Sequence, residues 1–221
     1  VPLPAGGVEV SAVFGPALAA PVEDPPLVVI AHGAGAGMDH PFLHGFAAAL
    51  RADGLHTLRF TFPYLEAGRR MPGPAAHAIV TWRAVVAEAR RRTRGPVFGC
   101  GKSYGGRMAS MAAAEEPSLD VAGLAYLGYP LHPPGKPEKP RIQHLPAVRQ
   151  PQLFVEGTND PFVQLLAQLE DAVASCRDAR IAWVDGGGHS FEVKGRKRPP
   201  AEVGAGIAPL VAEFVRIGAA G

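Results

Sequence analysis

The chain has 221 residues, of which 47% are hydrophobic, and a formal net charge of +2 at neutral pH. That length can bury one sizeable core, so we expect a single domain over residues 1–221. The small net charge makes the electrostatic case for binding nucleic acid or a membrane weak, so we expect neither partner. Two cysteines form no disulfide framework, and we find no signal peptide and no apolar run of about 18 residues, so we expect a cytoplasmic protein.

Short apolar runs alternate along the chain with segments whose apolar residues recur at helical spacing. An edge strand is expected at 8–14, and a proline-rich connector at 16–26 follows it. The further strands are expected at 27–31, 55–60, 96–100, 121–127, 152–156 and 179–184. The helices are expected to carry apolar stripes at 42–50, 79–89, 108–114, 162–173 and 207–214. This alternation predicts an α/β fold with a mostly parallel sheet flanked by helices on both faces.

A Gly-x-Ser-x-Gly motif at 101–105 separates an apolar strand from a helix that Pro117 ends. In this context the motif predicts a nucleophile elbow, a strained turn that exposes the hydroxyl of Ser103. Gly101 and Gly105 are expected where a Cβ would strike the neighbouring chain. The motif alone is a weak signal in a chain with 27 glycines, and its position between strand and helix strengthens it. A phosphate-binding loop is disfavoured because Pro96 occupies the place of that motif's first glycine.

A serine hydroxyl is a poor nucleophile until a base takes its proton and a carboxylate orients that base. Asp160 directly follows a predicted strand, and His189 follows the last strand after three glycines. Both side chains are therefore expected at the carboxyl edge of the sheet, beside Ser103. Asp160 could instead cap the next helix, and Asp185 is an alternative acid. We favour Asp160 because Asp185 shares its strand and turn with the histidine that it would have to face.

Attack by Ser103 would create an oxyanion, which needs hydrogen-bond donors already in place. We expect the backbone N–H of Tyr104 to be one donor and that of Ala34, in a glycine-rich loop, to be the second. His32 is expected to anchor this loop by hydrogen bonding.

Two arginines and a tyrosine are candidates for binding the substrate. Arg69 and Arg70 follow a strand, and we hypothesise that one of them binds a substrate carboxylate, although an ion pair with Glu66 is the alternative. Tyr129, after the strand at 121–127, is a further candidate. The segment 132–146 is too short and proline-rich for a helical lid.

Several longer motifs make the chain resemble a known family. They are His-Gly-Ala-Gly at 32–35, Arg-Phe-Thr-Phe-Pro-Tyr at 59–64, Gly-Arg-Arg at 68–70, Gly-Lys-Ser-Tyr-Gly-Gly-Arg-Met-Ala-Ser at 101–110, Leu-Gly-Tyr-Pro-Leu-His-Pro-Pro-Gly-Lys at 127–136, Gly-Thr-Asn-Asp-Pro-Phe at 157–162 and Gly-His-Ser-Phe at 188–191. Together they resemble a dienelactone-hydrolase-like branch of the α/β-hydrolase superfamily. This branch includes bacterial proteins of unassigned substrate and, among eukaryotes, testis-expressed proteins and a subunit of the non-specific lethal chromatin complex. Tyr104 stands where methionine is common in these relatives, which leaves its backbone donor intact.

The resemblance implies the α/β-hydrolase fold and a triad of Ser103, Asp160 and His189, and it supplies no substrate. From motifs and resemblance together we expect a lidless serine hydrolase that cleaves small carboxylic esters or thioesters, without a metal or an organic cofactor. One alternative is a non-catalytic scaffold for protein contacts, which the intact triad disfavours. The other is a peptide or amide hydrolase, which would use the same residues. The expected partner is a small-molecule ester, and a monomer and a homodimer both remain open.

Overall fold

The computed structural model describes residues 1–4, 8–19 and 23–219. Its strands are β1 (Ala12–Gly15), β2 (Leu27–Ala31), β3 (His56–Phe60), β4 (Val97–Lys102), β5 (Gly123–Leu127), β6 (Gln152–Gly157) and β7 (Ala179–Val184). Its α-helices are α1 (Pro41–Ala52), α2 (Pro63–Glu66), α3 (Ala75–Arg92), α4 (Tyr104–Ala114), α5 (Leu166–Ala174) and α6 (Pro200–Ala219), and a 3₁₀ turn lies at Leu145–Ala147.

One sheet joins all seven strands in the order β1-β3-β2-β4-β5-β6-β7. Strand β1 pairs antiparallel with β3, and every other pairing is parallel. Strands β2, β4, β5 and β6 are buried along their whole length, which is why their sequences are mainly apolar and do not alternate. Because β4, β6 and β7 run in the same direction, the residues that follow them meet at one edge of the sheet. The predicted fold class is confirmed.

The helices cover both faces of the sheet and create two core layers. One layer, between the sheet and α3, α4 and α5, contains Trp82, Met108 and Phe154. The other, between the sheet and α1 and α6, contains Phe46 and Val211. The two layers place α4 and α1 on opposite sides of the edge where the candidate residues gather.

Four elements differ from the sequence-based expectation. Strand β1 is shorter than predicted, β5 begins two residues late, and the loop after β3 contains the short helix α2. The helix expected from residue 162 begins at Leu166, because the Asp160 carboxylate accepts the N–H of Phe162 at 2.7 Å and holds this segment in a turn. Leu165, expected on the buried stripe, is 55% exposed.

The segment after β5 is ordered and close to the sheet. Leu131 and Leu145 are fully buried, and the backbone N–H of Arg141 donates to Leu131 O at 2.7 Å. Within the described residues no inserted helical unit covers the carboxyl edge, in agreement with the expectation of a lidless fold. The connector predicted at 16–26 lies partly outside the described residues.

Every helix in the described part of the chain is too short or too polar to cross a membrane.

Candidate active site

Ser103 lies in a strained turn between β4 and α4. Its backbone has φ 49° and ψ −114°, in the region that side chains other than glycine rarely adopt. The flanking glycines permit this turn: a Cβ at position 101 would overlap the backbone nitrogen of Gly106, and one at position 105 would lie 2.6 Å from His32 O. The Ser103 N–H donates to Leu127 O at 2.9 Å, which ties the turn to β5. This is the geometry predicted for a nucleophile elbow.

The structure brings Ser103, Asp160 and His189 together at this edge. His189 Nδ1 lies 2.6 Å from Asp160 Oδ2, and His189 Nε2 lies 2.8 Å from Ser103 Oγ. An ionised carboxylate can only accept, so Nδ1–H donates to Asp160 and leaves Nε2 free to accept the serine proton. The Asp160 side chain is fully buried, and its second oxygen accepts from Phe162 N–H. The three side chains therefore form a continuous hydrogen-bonded chain in the orientation that acyl transfer needs.

The pKa values of the histidine and the carboxylate are both shifted. Burial and the positive charge of Lys102 lower the pKa of His189 below its usual 6.5, although the hydrogen bond to Asp160 and the charges of Asp160 and Glu192 act in the opposite direction. Burial opposes ionisation of Asp160, but the hydrogen bond from His189 and the neighbouring Glu156 outweigh it and leave the pKa of that carboxyl lowered. The imidazole is therefore neutral and the carboxylate ionised near pH 7, as a general base and its orienting acid require.

Asp185, the alternative acid, points elsewhere. Its side chain is exposed, and Oδ1 accepts a long hydrogen bond of 3.5 Å from Thr158 Oγ1. The geometry thus pairs His189 with Asp160.

The loop that carries His189 is packed backbone against backbone on the loop that carries Asp160. Asn159 N–H donates to Gly187 O at 2.9 Å, and Thr158 N–H donates to Val184 O at 3.1 Å. A Cβ on Gly157 would overlap Gly187 O, so glycine is required for this close approach. We call residues 157–160 and 184–189 together the acid–base loops. Their mutual contacts hold the two loops together independently of the hydrogen bond between His189 and Asp160.

The two amides expected to hold an oxyanion lie beside Ser103. A Cβ on Gly33 would be 3.6 Å from Ser103 Cβ, which places the loop after β2 against the elbow. His32 anchors this loop as predicted: Nε2 accepts from Phe62 N–H at 3.0 Å, and Nδ1–H donates to Gly33 O at 2.7 Å. In residues 1–4, 8–19 and 23–219, no acceptor takes the N–H of Ala34 or of Tyr104.

Two buried charged residues beside the triad escaped the sequence-based prediction. Lys102 precedes Ser103, and its ammonium donates to His189 O at 2.6 Å while burial lowers its pKa to about 8. Glu156, at the end of β6, is fully buried and accepts from Tyr129 N–H at 2.7 Å. Burial and the neighbouring Asp160 raise the pKa of Glu156 well above its usual value, and Glu156 Oε1 is shielded from water without a hydrogen-bond partner. Their places at strand ends were the only available signal, since burial of a lysine or glutamate is rare.

A cavity of about 340 Å³ opens at the triad. Ser103 and His189 form its floor, Phe42 and Leu43 of α1 form an apolar wall, and Phe162 closes the end beside the imidazole. The rings of Phe162 and His189 are 4.2 Å apart and inclined by 33°. This volume lies at the small end of the range for ligand sites, about 300–1,000 Å³.

The other candidate substrate-binding residues do not line this cavity. Arg69 and Arg70 are exposed, and Arg69 lines a separate groove with His77 and Tyr104. In the described ion pairs neither arginine contacts Glu66, whose Oε1 accepts from Ser11 N–H at 2.7 Å.

Tyr129 is fully buried, which contradicts the expectation that it contacts substrate. Its hydroxyl donates to Arg141 O at 3.0 Å, and its ring packs on Tyr126 and Phe154 in the core. The strand-end position that suggested a site residue places this side chain beneath the segment that follows.

In the described residues, no three histidine, cysteine, aspartate or glutamate side chains are grouped so that they could hold a metal ion.

The fold matches several solved hydrolase structures. Est1E from Butyrivibrio proteoclasticus, with bound ferulic acid, superposes with a TM-score of 0.73 at 17% identity, over 96% of this chain and 97% of that one. Dienelactone hydrolase from Anabaena variabilis gives 0.70 at 23% identity over 98% and 95%. XC6422 from Xanthomonas campestris, a serine hydrolase without a lid, gives 0.69 at 17% identity over 95% and 87%. At these identities the matches establish the fold.

The model of the alpha/beta hydrolase domain family matches residues 24–214, and the chain belongs to that family. The resemblance to the α/β-hydrolase superfamily is thereby confirmed. That this chain belongs to the branch with the testis-expressed and chromatin-complex relatives remains a prediction.

Proposed function

We propose that this protein is a serine hydrolase that cleaves small carboxylic esters or thioesters through an acyl-enzyme intermediate. One observation carries the proposal: His189 bridges Ser103 Oγ at 2.8 Å and Asp160 Oδ2 at 2.6 Å, with the serine held in an elbow. The alpha/beta hydrolase family and the similarity to esterase structures support it.

In the first half-reaction Ser103 Oγ attacks the carbonyl carbon of the substrate while its proton passes to His189 Nε2. The negative charge that develops on the carbonyl oxygen is accepted by the N–H groups of Ala34 and Tyr104, and the positive end of α4 reinforces them. Asp160 stabilises the imidazolium. When the bond to the leaving group breaks, His189 returns the proton to the departing oxygen or sulfur, and the acyl group stays on Ser103.

In the second half-reaction a water molecule gives its proton to His189 Nε2 and attacks the acyl carbon. The intermediate collapses, the bond to Ser103 Oγ breaks, and the proton returns to the serine. The carboxylic acid leaves, and the enzyme is regenerated. The lowered pKa of His189 keeps the base neutral at pH 7 for both steps.

The cavity supports short acyl groups. Its volume of about 340 Å³ lies at the small end for ligand cavities, and the buried side chains of Phe42 and Leu43 give it an apolar wall suited to a short acyl chain. In a series of p-nitrophenyl esters, kcat/KM is expected to be greatest for short chains and to show no increase when the substrate forms an emulsion. Faster turnover of long, emulsified esters would contradict this.

The decisive experiment uses a fluorophosphonate probe, which needs only an activated serine and no knowledge of the substrate. The native protein is expected to gain the mass of one probe on Ser103 in intact-protein mass spectrometry. Ser103→Ala is expected to abolish labelling, and His189→Ala to slow it by about 10⁴-fold or more. Ser190→Ala is the matched control, since it also lies at the cavity, and it is expected to retain labelling at Ser103.

Circular dichroism should establish that each variant is folded. A folded native protein that gains no mass after prolonged exposure, or gains it at a residue other than Ser103, would favour the non-catalytic scaffold. Comparing ester, thioester and anilide substrates with the same acyl group would then rank the bond types.

A further inference from the structure

Arg107 and Arg141 lie together on the α4 side of Ser103, away from the cavity. Arg107 is one helical turn after the serine, and its backbone N–H donates to Ser103 O at 3.0 Å. Arg141 belongs to the segment between β5 and β6, which packs against α4 through Leu145 in the same core layer as Met108. The wall of the cavity, by contrast, belongs to α1 on the other side of the sheet. We call Arg107 and Arg141 the arginine pair.

A hydrogen-bond network fixes the backbone of both arginines. Ser110 Oγ–H donates to Arg107 O at 2.8 Å, and Tyr129 Oη–H donates to Arg141 O at 3.0 Å. His144 joins the two, since Nε2 lies 2.7 Å from Ser110 Oγ and 3.4 Å from Tyr129 Oη. Because the serine proton is already committed, His144 Nε2–H is the donor to Ser110. The network thus joins the backbones of the two arginines and employs only their carbonyl groups.

The guanidinium groups of the arginine pair have no acceptor in the described residues, unlike those of the other half-buried arginines. Those others each donate to a carbonyl or carboxylate oxygen: Arg51, Arg59, Arg83 and Arg90. The described ion pairs include neither Arg107 nor Arg141, and Arg107 Nε is shielded from water without a hydrogen-bond partner.

No carboxylate contributes to the pKa shifts at the pair. Burial and the charge of Arg107 lower the pKa of Arg141, and the same two causes lower the pKa of His144 to about 4, so that this imidazole is neutral near pH 7. Partly desolvated guanidinium groups without a counter-charge are unfavourable. A carboxylate or phosphate accepts several hydrogen bonds at once, so one such group could supply the acceptors that both guanidinium groups lack.

We propose that Arg107 and Arg141 form an anion-binding site, separate from the amides of Ala34 and Tyr104. This site binds a carboxylate or phosphate group carried by the ester substrate. The substrate then spans the elbow, with its reacting carbonyl at Ser103 and its anionic group on the α4 side. The assignment to substrate rests on the proposed hydrolase activity. The anion site itself does not, because binding of a free anion needs no catalysis.

The first test measures binding of inorganic phosphate by isothermal titration calorimetry and thermal unfolding, at constant ionic strength. It compares the native protein with Arg107→Gln, Arg141→Gln and the double variant. The matched control is Arg94→Gln with Arg177→Gln, which removes the same charge from two exposed sites. Phosphate is expected to bind the native and control proteins, each single variant about 10- to 100-fold more weakly, and the double variant not measurably.

The second test measures kcat/KM on anionic and neutral esters. The anionic esters carry a carboxylate on the acyl part, as in mono-p-nitrophenyl succinate, or on the alcohol part, as in 3-acetoxybenzoate. The neutral partners are p-nitrophenyl butyrate and phenyl acetate. The ratio of anionic to neutral kcat/KM is expected to fall about 10- to 100-fold in Arg107→Gln and Arg141→Gln for at least one carboxylate position.

Equal phosphate binding by the native protein and the double variant would overturn the anion site. Lost phosphate binding with unchanged ratios for both carboxylate positions would overturn the assignment to substrate and leave a site for a free anion. A fall in the ratio for Arg69→Gln with Arg70→Gln, and none for the arginine pair, would restore the sequence-based hypothesis. If no ester is hydrolysed, the fluorophosphonate result tests the hydrolase proposal and the phosphate result still tests the site.

Discussion

The two sides of Ser103 differ in how completely their polar groups are paired. On the side of His189, the imidazole, Asp160 and the ammonium of Lys102 all have partners within 2.6–2.8 Å. On the side of α4, the guanidinium groups of Arg107 and Arg141 have none in the described residues, although the backbone around them is fixed. The triad and Lys102 therefore find their partners within the folded chain, whereas the arginine pair finds them only in an anion.

This difference separates two kinds of site residue. The paired side is arranged for chemistry before any ligand arrives, so its substitution should change the rate. The unpaired side contributes little to the folded chain alone, so its substitution should change which ligand binds. The predictions below test this division, beginning with the largest effect.

Replacing the acid of the paired side should have the largest effect. Asp160→Asn keeps the shape of the side chain but can donate to His189 Nδ1, which puts the ring proton on Nε2 and removes the acceptor for Ser103. The value of kcat on a p-nitrophenyl ester is expected to fall by about 10⁴-fold. Asp185→Asn, the matched control, is expected to leave kcat within about twofold, as for surface changes in general. Comparable losses in both variants would show that the second carboxylate also serves the histidine.

The elbow that joins the two sides should tolerate no added atom. In Gly101→Ala the new methyl group would overlap the backbone of Gly106, and the free energy of unfolding is expected to fall by about 3 kcal/mol. Gly35→Ala is the control from the neighbouring loop, because its added Cβ has no atom within 4 Å, and its effect should stay below about 0.5 kcal/mol. Denaturant unfolding measures both. Equal stability of the two variants would mean that the turn is looser than described.

The charge of Lys102 should be visible in the pH profile. His189 must be neutral to act, so activity is complete above its pKa and is lost as the pH falls through it. Burial and Lys102 lower that pKa, so the acid limb of kcat/KM is expected below pH 6.5. Lys102→Met removes one of these causes, and the limb is expected to move to higher pH.

The control for this prediction is Lys139→Met, an exposed lysine, which should leave the limb in place. If the acid limb of kcat/KM does not move in Lys102→Met, the charge of Lys102 does not lower the pKa of His189, and this side chain serves only in packing. A rise or fall of kcat at the plateau is a separate readout of the hydrogen bond to His189 O.

The unpaired side should show the smallest effect on stability. Arg141→Gln removes a charge that has no protein partner, so the free energy of unfolding in the absence of added anions is expected to change by less than about 0.5 kcal/mol. Arg83→Gln, a half-buried arginine paired with Glu115, should lose up to about 1 kcal/mol. A loss above about 1 kcal/mol for Arg141→Gln would assign that guanidinium a structural role.

The positions of the residues that follow strands could be predicted from the sequence. Ser103, Asp160 and His189 each follow an apolar run, and parallel strands deliver such residues to one edge whatever the details of packing. The choice of Asp160 over Asp185 also followed from chain geometry. The fold class followed from the alternation of patterns.

Features that depend on tertiary contacts could not be predicted from the sequence. The turn at 160–162 exists because a carboxylate accepts a backbone N–H, which delays α5 to Leu166. Tyr129 shares the strand-end position of the triad residues, yet it is turned into the core. No sequence pattern distinguishes the buried Lys102 from an exposed lysine, or the arginine pair from an exposed pair such as Arg69 and Arg70. These distinctions depend on which groups surround each side chain in the folded protein.

The contact between the acid–base loops has a consequence for motion. Because Gly157 and Gly187 touch backbone to backbone and Asn159 donates across the gap, the acid and the base are carried on one body and cannot drift apart separately. A thermal fluctuation that moves this body then shifts the acid and the base together relative to the serine. The conformational entropy of orienting the imidazole is lost once, during folding, and a substrate that enters the cavity does not have to supply it again.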